Sequence, residues 1–390
     1  VSLGWVSFLT DIGSEMIFPL LPLFLASLGG APAMALGWIE GTAESTSSAL
    51  KVVSGRMADR LRRRKPLVVA GYGLSSAIRP LMSLAGSWVA VLVFRFVDRI
   101  GKGVRSAPRD ALIASVTPAD RRGAAYGLHR AFDNAGAVAG PLIAAGLMAG
   151  FALPLRTVFA LTAIPGALAV AVLLFAVRER PRPDQAAKEF SPGARTTGPL
   201  PAAFWRIASV VTLFTLAASS DSFLLLKARD VGIPIALIPV LWAFSNAVRA
   251  GFSRWGGGLS DRLGRRTLLL SAWSLYAVCY AAFSWVTAPI VLTLVIGVYS
   301  LYAALSEGTE RALVADLVPE GSRGRAFGWL HGMTGLAALP ASVGFGWIWQ
   351  THGSKAAFLV GASIAATAVL ALLVEWRVDG PAEQLQMARN

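Results

Sequence analysis

Runs of about 20 apolar residues recur along the whole of this 390-residue chain. At 1.5 Å of rise per residue, such a run crosses the roughly 30 Å hydrocarbon core of a bilayer as a helix. Lipid offers no partner to a backbone N–H or C=O, so a spanning segment must satisfy its own polar groups, which a helix does. Spans are read at about 3–28, 34–54, 66–86, 88–108, 124–150 and 157–177, then at about 204–226, 235–256, 266–286, 289–314, 326–350 and 356–376. Composition agrees: 55% of residues are hydrophobic and only 15% charged, against roughly 25% charged in an ordinary soluble domain. The expected fold is all-α and integral to the membrane, with about twelve transmembrane helices in two pseudo-symmetric six-helix bundles. Residues 1–177 would form the first bundle, 178–203 a cytoplasmic linker, 204–377 the second bundle and 378–390 a cytoplasmic tail. The linker segment RERPRPDQAAKEFSPGARTTGPLP, Arg178–Pro201, is polar and Pro-rich, as a flexible connection requires.

A net charge of +14 could point to nucleic acid, but the Lys and Arg residues are not gathered on one soluble module. They sit in short loops: Arg56, Arg60, Arg62, Arg63, Arg64 and Lys65 after the second span, Arg121 and Arg122 before the fifth, and Arg262, Arg265 and Arg266 after the eighth. The linker adds Arg178, Arg180, Arg182, Lys188 and Arg195, while Arg156, Lys227, Arg229 and Lys355 are the basic exceptions in the alternate loops. Retention of positive charge on the cytoplasmic side accounts for this, and puts both termini in the cytoplasm of a multi-pass protein of the cell (inner) membrane. Cys279 is the single cysteine, which excludes disulfides, CxxC redox pairs and multi-Cys zinc sites within one chain. Three histidines, His129, His331 and His352, form no HExxH motif. The first residues are already apolar and lack an initiator Met, so a trimmed N-terminus is expected, and no signal peptide with a basic start is visible.

The two halves align with each other. GRMADRLRRRKPL at Gly55–Leu67 matches GGLSDRLGRRTLL at Gly257–Leu269, pairing Asp59 with Asp261. ALIASVTPADRRGAAYG at Ala111–Gly127 matches ALVADLVPEGSRGRAFG at Ala312–Gly328, at nearly the same offset. A parallel repeat of about half the chain is a transporter architecture.

On these residues the whole chain resembles the major facilitator superfamily, and within it the twelve-helix drug:proton antiporter-like group. The family's loop signature G-x-x-x-D-R-x-G-R-R/K is met by Gly55, Asp59, Arg60, Arg63 and Arg64, with Arg62 in place of the second glycine. The second copy, Gly257, Asp261, Arg262, Gly264, Arg265 and Arg266, is complete. An Asp at a helix end can accept N–H bonds from a neighbouring helix N-terminus, and the arginines can pair with carboxylates, so the two loops read as a cytoplasmic gate rather than topology signals alone. The fourth span resembles the signature R-F-x-Q-G-x-G through Arg95, Phe96, Asp98, Arg99, Gly101 and Gly103, with Asp98 and Arg99 as departures. Arg95, Asp98, Arg99 and Lys102 share one helix face, which should meet other helices or a water-filled cavity, either as an ion-pair ladder or as a working face. Gly136, Gly140 and Pro141, followed by Ala144 and Ala145, resemble the antiporter signature G-x-x-x-G-P-x-x-G-G, and the resemblance implies export. Small residues there allow close helix contact, and Pro141 can bend the helix.

Acids inside the spans carry the chemistry. Asp11 and Glu15 lie one turn apart on the first span, before Pro19 and Pro22, which should bend its outer half. Glu40, Glu44, Ser47 and Lys51 share a face of the second. In the repeat Glu44 falls opposite Asn246, and Glu15 can be set against Asp221 only after a shift of about one helical turn. A carboxylate away from water resists ionisation, so it can take up and release a proton as its access alternates. Glu15 and Glu44 lead this list, with Asp11, Asp133 and Asp221 behind, and permanent pairing with Arg79, Arg95, Arg99 or Arg130 would silence any of them. His129 and His331 could bind a metal or sense pH, but local hydrogen bonding is the plainer reading.

The function expected is proton-coupled efflux of a small organic molecule, amphipathic or anionic in view of the basic face on the fourth span, by alternating access. Import of a metabolite or metal chelate by a symporter or uniporter is the alternative. A lipid-acting enzyme finds no nucleophile–base motif, and GKGVRSAPRD lacks phosphate-loop spacing. A non-transporting receptor is disfavoured by the intramembrane acids. No cofactor and no metal are called for; the partners are the substrate, protons and the lipid bilayer, with no nucleic acid, and the chain is expected to work as a monomer. The charges are unequal between halves: Glu44, Arg95 and Asp98 of the first face Asn246, Ile296 and Tyr299 of the second, within a residue of alignment.

Overall fold

Apolar runs that must satisfy their own backbone polar groups fold as helices, and no strand occurs among the described residues. The computed structural model describes residues 1–60, 63–117, 122–177, 179, 199–319 and 322–387. Within these it leaves out the side chains of 52, 55, 56, 58–60, 114–116, 122–125, 127, 253–258, 260–262, 307, 323, 324 and 376–387. The helices are α1 Ser2–Ile17, α2 Leu21–Ser27, α3 Pro32–Arg60, α4 Lys65–Leu81, α5 Trp88–Val116, α6 Arg122–Phe151, α7 Leu155–Leu161 and α8 Ala163–Phe175. Then come α9 Ala202–Ala217, α10 Ser222–Asp230, α11 Ile238–Leu263, α12 Arg265–Phe283, α13 Pro289–Asp316 and α14 Arg323–Met387.

Nine helical stretches among the described residues are long and apolar enough to cross a membrane. Two of the expected spans fall within the last of them, Arg325–Glu375. They lie in α14, which departs from helical backbone at Gly353, at φ 85°. That left-handed value suits a residue without a Cβ. The helices α3 and α5, which hold the expected spans 34–54 and 88–108, have 29 residues each but are interrupted by charge, including Glu40, Glu44 and Lys51 in one and Arg95, Asp98, Arg99 and Lys102 in the other. The first span bends as its prolines predict: α1 gives way to a 3₁₀ turn, Phe18–Leu20, and resumes as α2. Two further spans are interrupted where the sequence reading ran straight, at Thr162 between α7 and α8 and at Ala218–Asp221 between α9 and α10. Large side chains on the helices stay exposed, such as Val278, Ile290, Leu294 and Leu336. An apolar exterior of this kind suits lipid rather than water.

The chain divides into two compact units, residues 1–192 with 220–247, and 193–219 with 248–390. In the first, glycines set the helix crossings. A Cβ at Gly101 of α5 would lie 2.6 Å from the Gly71 carbonyl oxygen of α4, and one at Gly103 would lie 2.5 Å from the Leu50 Cβ of α3. In the second, the core is aromatic. Phe214 of α9 stacks on Trp273 of α12 at 4.2 Å, Tyr276 stacks on Tyr280 at 4.1 Å, and Tyr299 and Tyr302 of α13 pack against Tyr276. Each such ring pair adds about 0.5–1.5 kcal/mol beyond the area it buries.

Candidate functional site

Two arginines and two acids form a buried ladder in the first unit. Arg79 of α4 donates from Nε to Asp98 Oδ1 at 2.9 Å and from Nη1 to the Thr10 carbonyl of α1 at 2.8 Å. Arg95, one turn before Asp98 on α5, reaches Asp98 Oδ2 at 3.8 Å and donates to Glu40 Oε1 of α3 from Nε at 3.1 Å and Nη2 at 3.0 Å. Asp98 is fully buried and Arg95 almost so, at 0% and 2% exposure. Removing one partner of such a pair costs about 3–5 kcal/mol, because the other charge is stranded. Arg105, two turns beyond Asp98 along α5, donates to Ser75 Oγ at 2.9 Å and lies over the Tyr72 ring at 4.3 Å.

Asp11 and Glu15 take a different position, on the α1 face that meets α6. A Cβ at Gly136 would lie 2.7 Å from the Phe8 carbonyl oxygen and 2.9 Å from Asp11 Cβ. One at Gly140 would lie 2.7 Å from the Ile12 carbonyl oxygen and 2.9 Å from Glu15 Cβ. The glycine motif of α6 therefore clears the wall opposite the two acids. Trp242 of α11 donates from Nε1 to Glu15 Oε2 at 2.7 Å, and its ring packs on Phe18 at 4.9 Å. Asn246, one turn on, donates to the Ala137 carbonyl of α6 at 3.1 Å. Glu44 of α3 accepts from Ser48 Oγ at 3.3 Å and is exposed. Arg99 and Lys102 carry on the face begun by Arg95 and Asp98, yet neither has an acid within ion-pair distance among the described residues, and Arg99 Nε is buried without a hydrogen bond. Lys102 lies within electrostatic reach of Asp11, Glu15 and Glu44.

The structure thus brings together Asp11, Glu15, Glu40, Glu44, Arg95, Asp98, Asp133 and Asn246 in one unit. Asp133 of α6 faces His129, with Oδ2 3.4 Å from Nδ1. Asp221 belongs to the same unit, as the residue that precedes α10 at the break after α9. His331 is exposed and stacks on Phe327 at 6.4 Å. No group of residues that could hold a metal occurs among the described residues.

Of the expected gate, the side chains of Gly55, Asp59, Arg60, Gly257, Asp261 and Arg262 lie outside the described residues. Arg63 is exposed, and Arg64 donates from Nη1 to the Ala111 carbonyl at the end of α5, at 3.1 Å. In the second unit Arg265 meets Asp316 at the end of α13, at 2.5 Å. Arg266 is half-buried. Sequence reasoning missed Glu179, whose carboxylate accepts the backbone N–H groups of Arg64 and Lys65 at 2.6 and 3.0 Å and so caps α4. It also missed Trp242 and Ser7; Ser7 lies one turn before Asp11 and could have been found by extending that four-residue step.

The family described as Major Facilitator Superfamily matches residues 3–310. An uncharacterised MFS-type transporter of Methanocaldococcus jannaschii is 33% identical over 95% of this chain and 93% of its own length. The multidrug resistance protein MdtG of Escherichia coli is 26% identical over 93% and 90%. Among solved structures, a bacterial homologue of the human lysosomal transporter Spinster superposes with a TM-score of 0.77 at 16% identity, covering 96% of both chains. A D-xylose–proton symporter does so with a TM-score of 0.72 at 18% identity, covering 96% of this chain and 95% of that one. At those identities the likeness speaks for the fold.

Proposed function

Because the chain belongs to the Major Facilitator Superfamily and is a multi-pass membrane transporter, we propose that it exports a small organic molecule in exchange for protons, by alternating access. The observation that carries this reading is the division of labour among the acids. Glu40 and Asp98 are held by arginines, while Asp11 and Glu15 face a glycine-lined wall and have no ion-pair partner among the described residues. An acid committed to a salt bridge is a poor proton carrier, whereas an unpaired one inside a span can load and unload. Lys102, within reach of Asp11, Glu15 and Glu44, supplies a counter-charge when they are ionised. When they are protonated, Lys102 and Arg99 are released toward a substrate.

Export is supported by the antiporter-like glycines of α6 and by the likeness to a multidrug resistance protein. In this reading the six-helix halves, residues 1–177 and 204–377, rock against each other with the linker and both termini in the cytoplasm. The loops around Asp59 and Asp261 act as the cytoplasmic gate, together with Arg63, Arg64, Arg265 and Arg266. The Arg64 contact with Ala111 and the Arg265 contact with Asp316 support this, since each ties the start of one helix to the end of the next.

The test uses purified protein in proteoliposomes under an imposed pH gradient, with a panel of fluorescent organic cations and anions. Wild type should accumulate at least one probe in response to the gradient, in the direction that opposes proton flow. Glu15→Gln and Glu44→Gln, made singly, should each lower gradient-driven transport by about tenfold or more. Gradient-driven transport that is undiminished in both would defeat the proton assignment, and probe movement in the same direction as protons would defeat export.

A further inference from the structure

The contact between α1 and α6 is a single polar seam that can be read in helical turns. Glu15 meets Gly140, Asp11 meets Gly136, and Ser7 meets His129. Asp133 lies between the last two levels, one turn beyond His129 and within electrostatic reach of Asp11. At the lower end lies a cavity of about 370 Å³, lined among others by Leu3, Ile113, Thr117, His129, Phe132 and Val177. By topology this is the end that carries the basic loops.

His129 has a partner at each ring nitrogen. Nε2 is 3.0 Å from Ser7 Oγ, and Nδ1 is 3.4 Å from Asp133 Oδ2. An imidazole held in this way can gain a proton on one nitrogen and lose one from the other. The second oxygen of Asp133, Oδ1, is buried and makes no hydrogen bond of good geometry among the described residues, with Ser7 also in reach of the carboxylate. A buried carboxylate oxygen left unsatisfied is expensive, and it leaves an acceptor open to an incoming proton.

Ser7, His129 and Asp133 also follow the nucleophile–base–acid order of a hydrolytic triad, but the surroundings exclude nucleophilic work. Ser7 Oγ is already engaged by Tyr72 Oη at 3.2 Å and by Arg109 Nη1 at 3.3 Å. Ser7 also lies inside α1, where the backbone N–H groups are spent on the helix, so no pair of donors can form an oxyanion hole. The same contacts suit a conduit, because they fix the ring in place.

We propose that Asp133 and His129 form a proton relay that joins the seam carboxylates Asp11 and Glu15 to the cavity at the basic end of the first unit. It rests on the proton coupling proposed above. In the outgoing step the proton leaves the Asp11 carboxyl for Asp133 Oδ1, the neutral carboxyl turns to bring that proton to His129, and Nδ1 takes it as Asp133 ionises again. The imidazolium so formed gives a proton to water in the cavity that its ring lines. One proton leaves Asp11 and one, from His129 Nε2, appears in the cavity; Asp133 is a carboxylate again, and His129 ends neutral with its proton on Nδ1, regaining the Nε2–H tautomer by exchange with cavity water before the next transfer. The charged and titratable neighbours are Asp11 from α1, Tyr72 from α4 and Arg109 and Asp110 from α5, with Arg130 beside His129 on α6. Arg109 and Asp110 pair with each other at 2.9 Å.

The experiment reads protonation without needing a transported substrate. Full-length protein in lipid nanodiscs is jumped from alkaline to mildly acidic buffer, and the carboxyl C=O stretch is followed by time-resolved infrared spectroscopy. In wild type a protonation band should grow, and it should shrink in Asp11→Asn and Glu15→Gln. In His129→Ala and Asp133→Asn the band from Asp11 and Glu15 should reach its usual amplitude about a hundredfold more slowly, near the low end of what a positioned acid–base group contributes. Added imidazole should restore the rate in His129→Ala, because the enlarged cavity admits it, and should leave Asp133→Asn slow. A purely structural role for His129 predicts no such rescue. Wild-type rates in both relay variants would overturn the relay alone. A band absent from wild type would overturn the proton coupling itself, and the relay with it.

Discussion

Arg79 and Asp98 show what a buried charge demands of its neighbours. Asp98 is at 0% exposure and is held by Arg79 at 2.9 Å, while Arg95 stands between Asp98 and Glu40. Arg79→Met leaves Asp98 short of its nearest cation and should destabilise the protein by about 3–5 kcal/mol. Adding Asp98→Leu in the same chain should recover most of the loss, since an apolar pair asks for no solvation. Thermal unfolding of the single and double variants in detergent measures the difference, and a double variant no more stable than Arg79→Met would contradict the ladder. This residue scale was partly legible beforehand. The face of Arg95, Asp98, Arg99 and Lys102 was visible from its i, i+3, i+4 and i+7 spacing, and Arg79 was among the cations that could silence an acid. The division of that face was not visible, because nothing in the spacing says that Arg95 and Asp98 meet α3 and α4 while Arg99 and Lys102 do not pair. Trp242 on Glu15 is a contact between residues 227 apart in sequence, beyond the reach of any local pattern.

Elements pack here through their small residues, and that makes a controlled comparison possible within one helix. Gly140→Ala in α6 places a Cβ 2.7 Å from the Ile12 carbonyl oxygen, and backbone cannot yield as a flexible side chain can. It should cost about 1–3 kcal/mol and push α1 away from α6. Gly146→Ala, on the same helix, meets nothing within 4 Å and should be neutral or stabilising by up to about 1 kcal/mol. Unfolding midpoints that fail to separate the two variants would refute the close crossing. The glycine signature of α6 was readable as a place of tight contact, but its partner was not, since G-x-x-x-G names no opposite face. The bend after α1 was also readable, from Pro19 and Pro22. The breaks at Thr162 and at Ala218–Asp221 carried signals that the apolar runs around them outweighed: Pro165 has no N–H for the Leu161 carbonyl, and Ser219, Ser220 and Asp221 interrupt the second run.

At the scale of the whole molecule the two units differ in kind: the first is threaded by charge and the second is filled with rings. The asymmetry showed in the repeat alignment, where Arg95 and Asp98 face Ile296 and Tyr299. Its orientation in the membrane can be tested through a single reporter. Cys279 is buried, and Cys279→Ser leaves the chain without cysteine. In that background Gly86→Cys should react with an impermeant maleimide in intact cells, whereas Arg63→Cys should react only after permeabilisation. The reverse pattern would place the basic loops outside. The α1–α6 seam has an electrical consequence as well. From Ser7 to Glu15 it runs about 12 Å along the helix, roughly two-fifths of a 30 Å hydrocarbon core. A charge that crosses the full membrane gains or loses about 2.3 kcal/mol per 100 mV, so a proton carried along the seam exchanges about 0.9 kcal/mol with the membrane potential. A carboxylate placed so deep answers to voltage as well as to acidity.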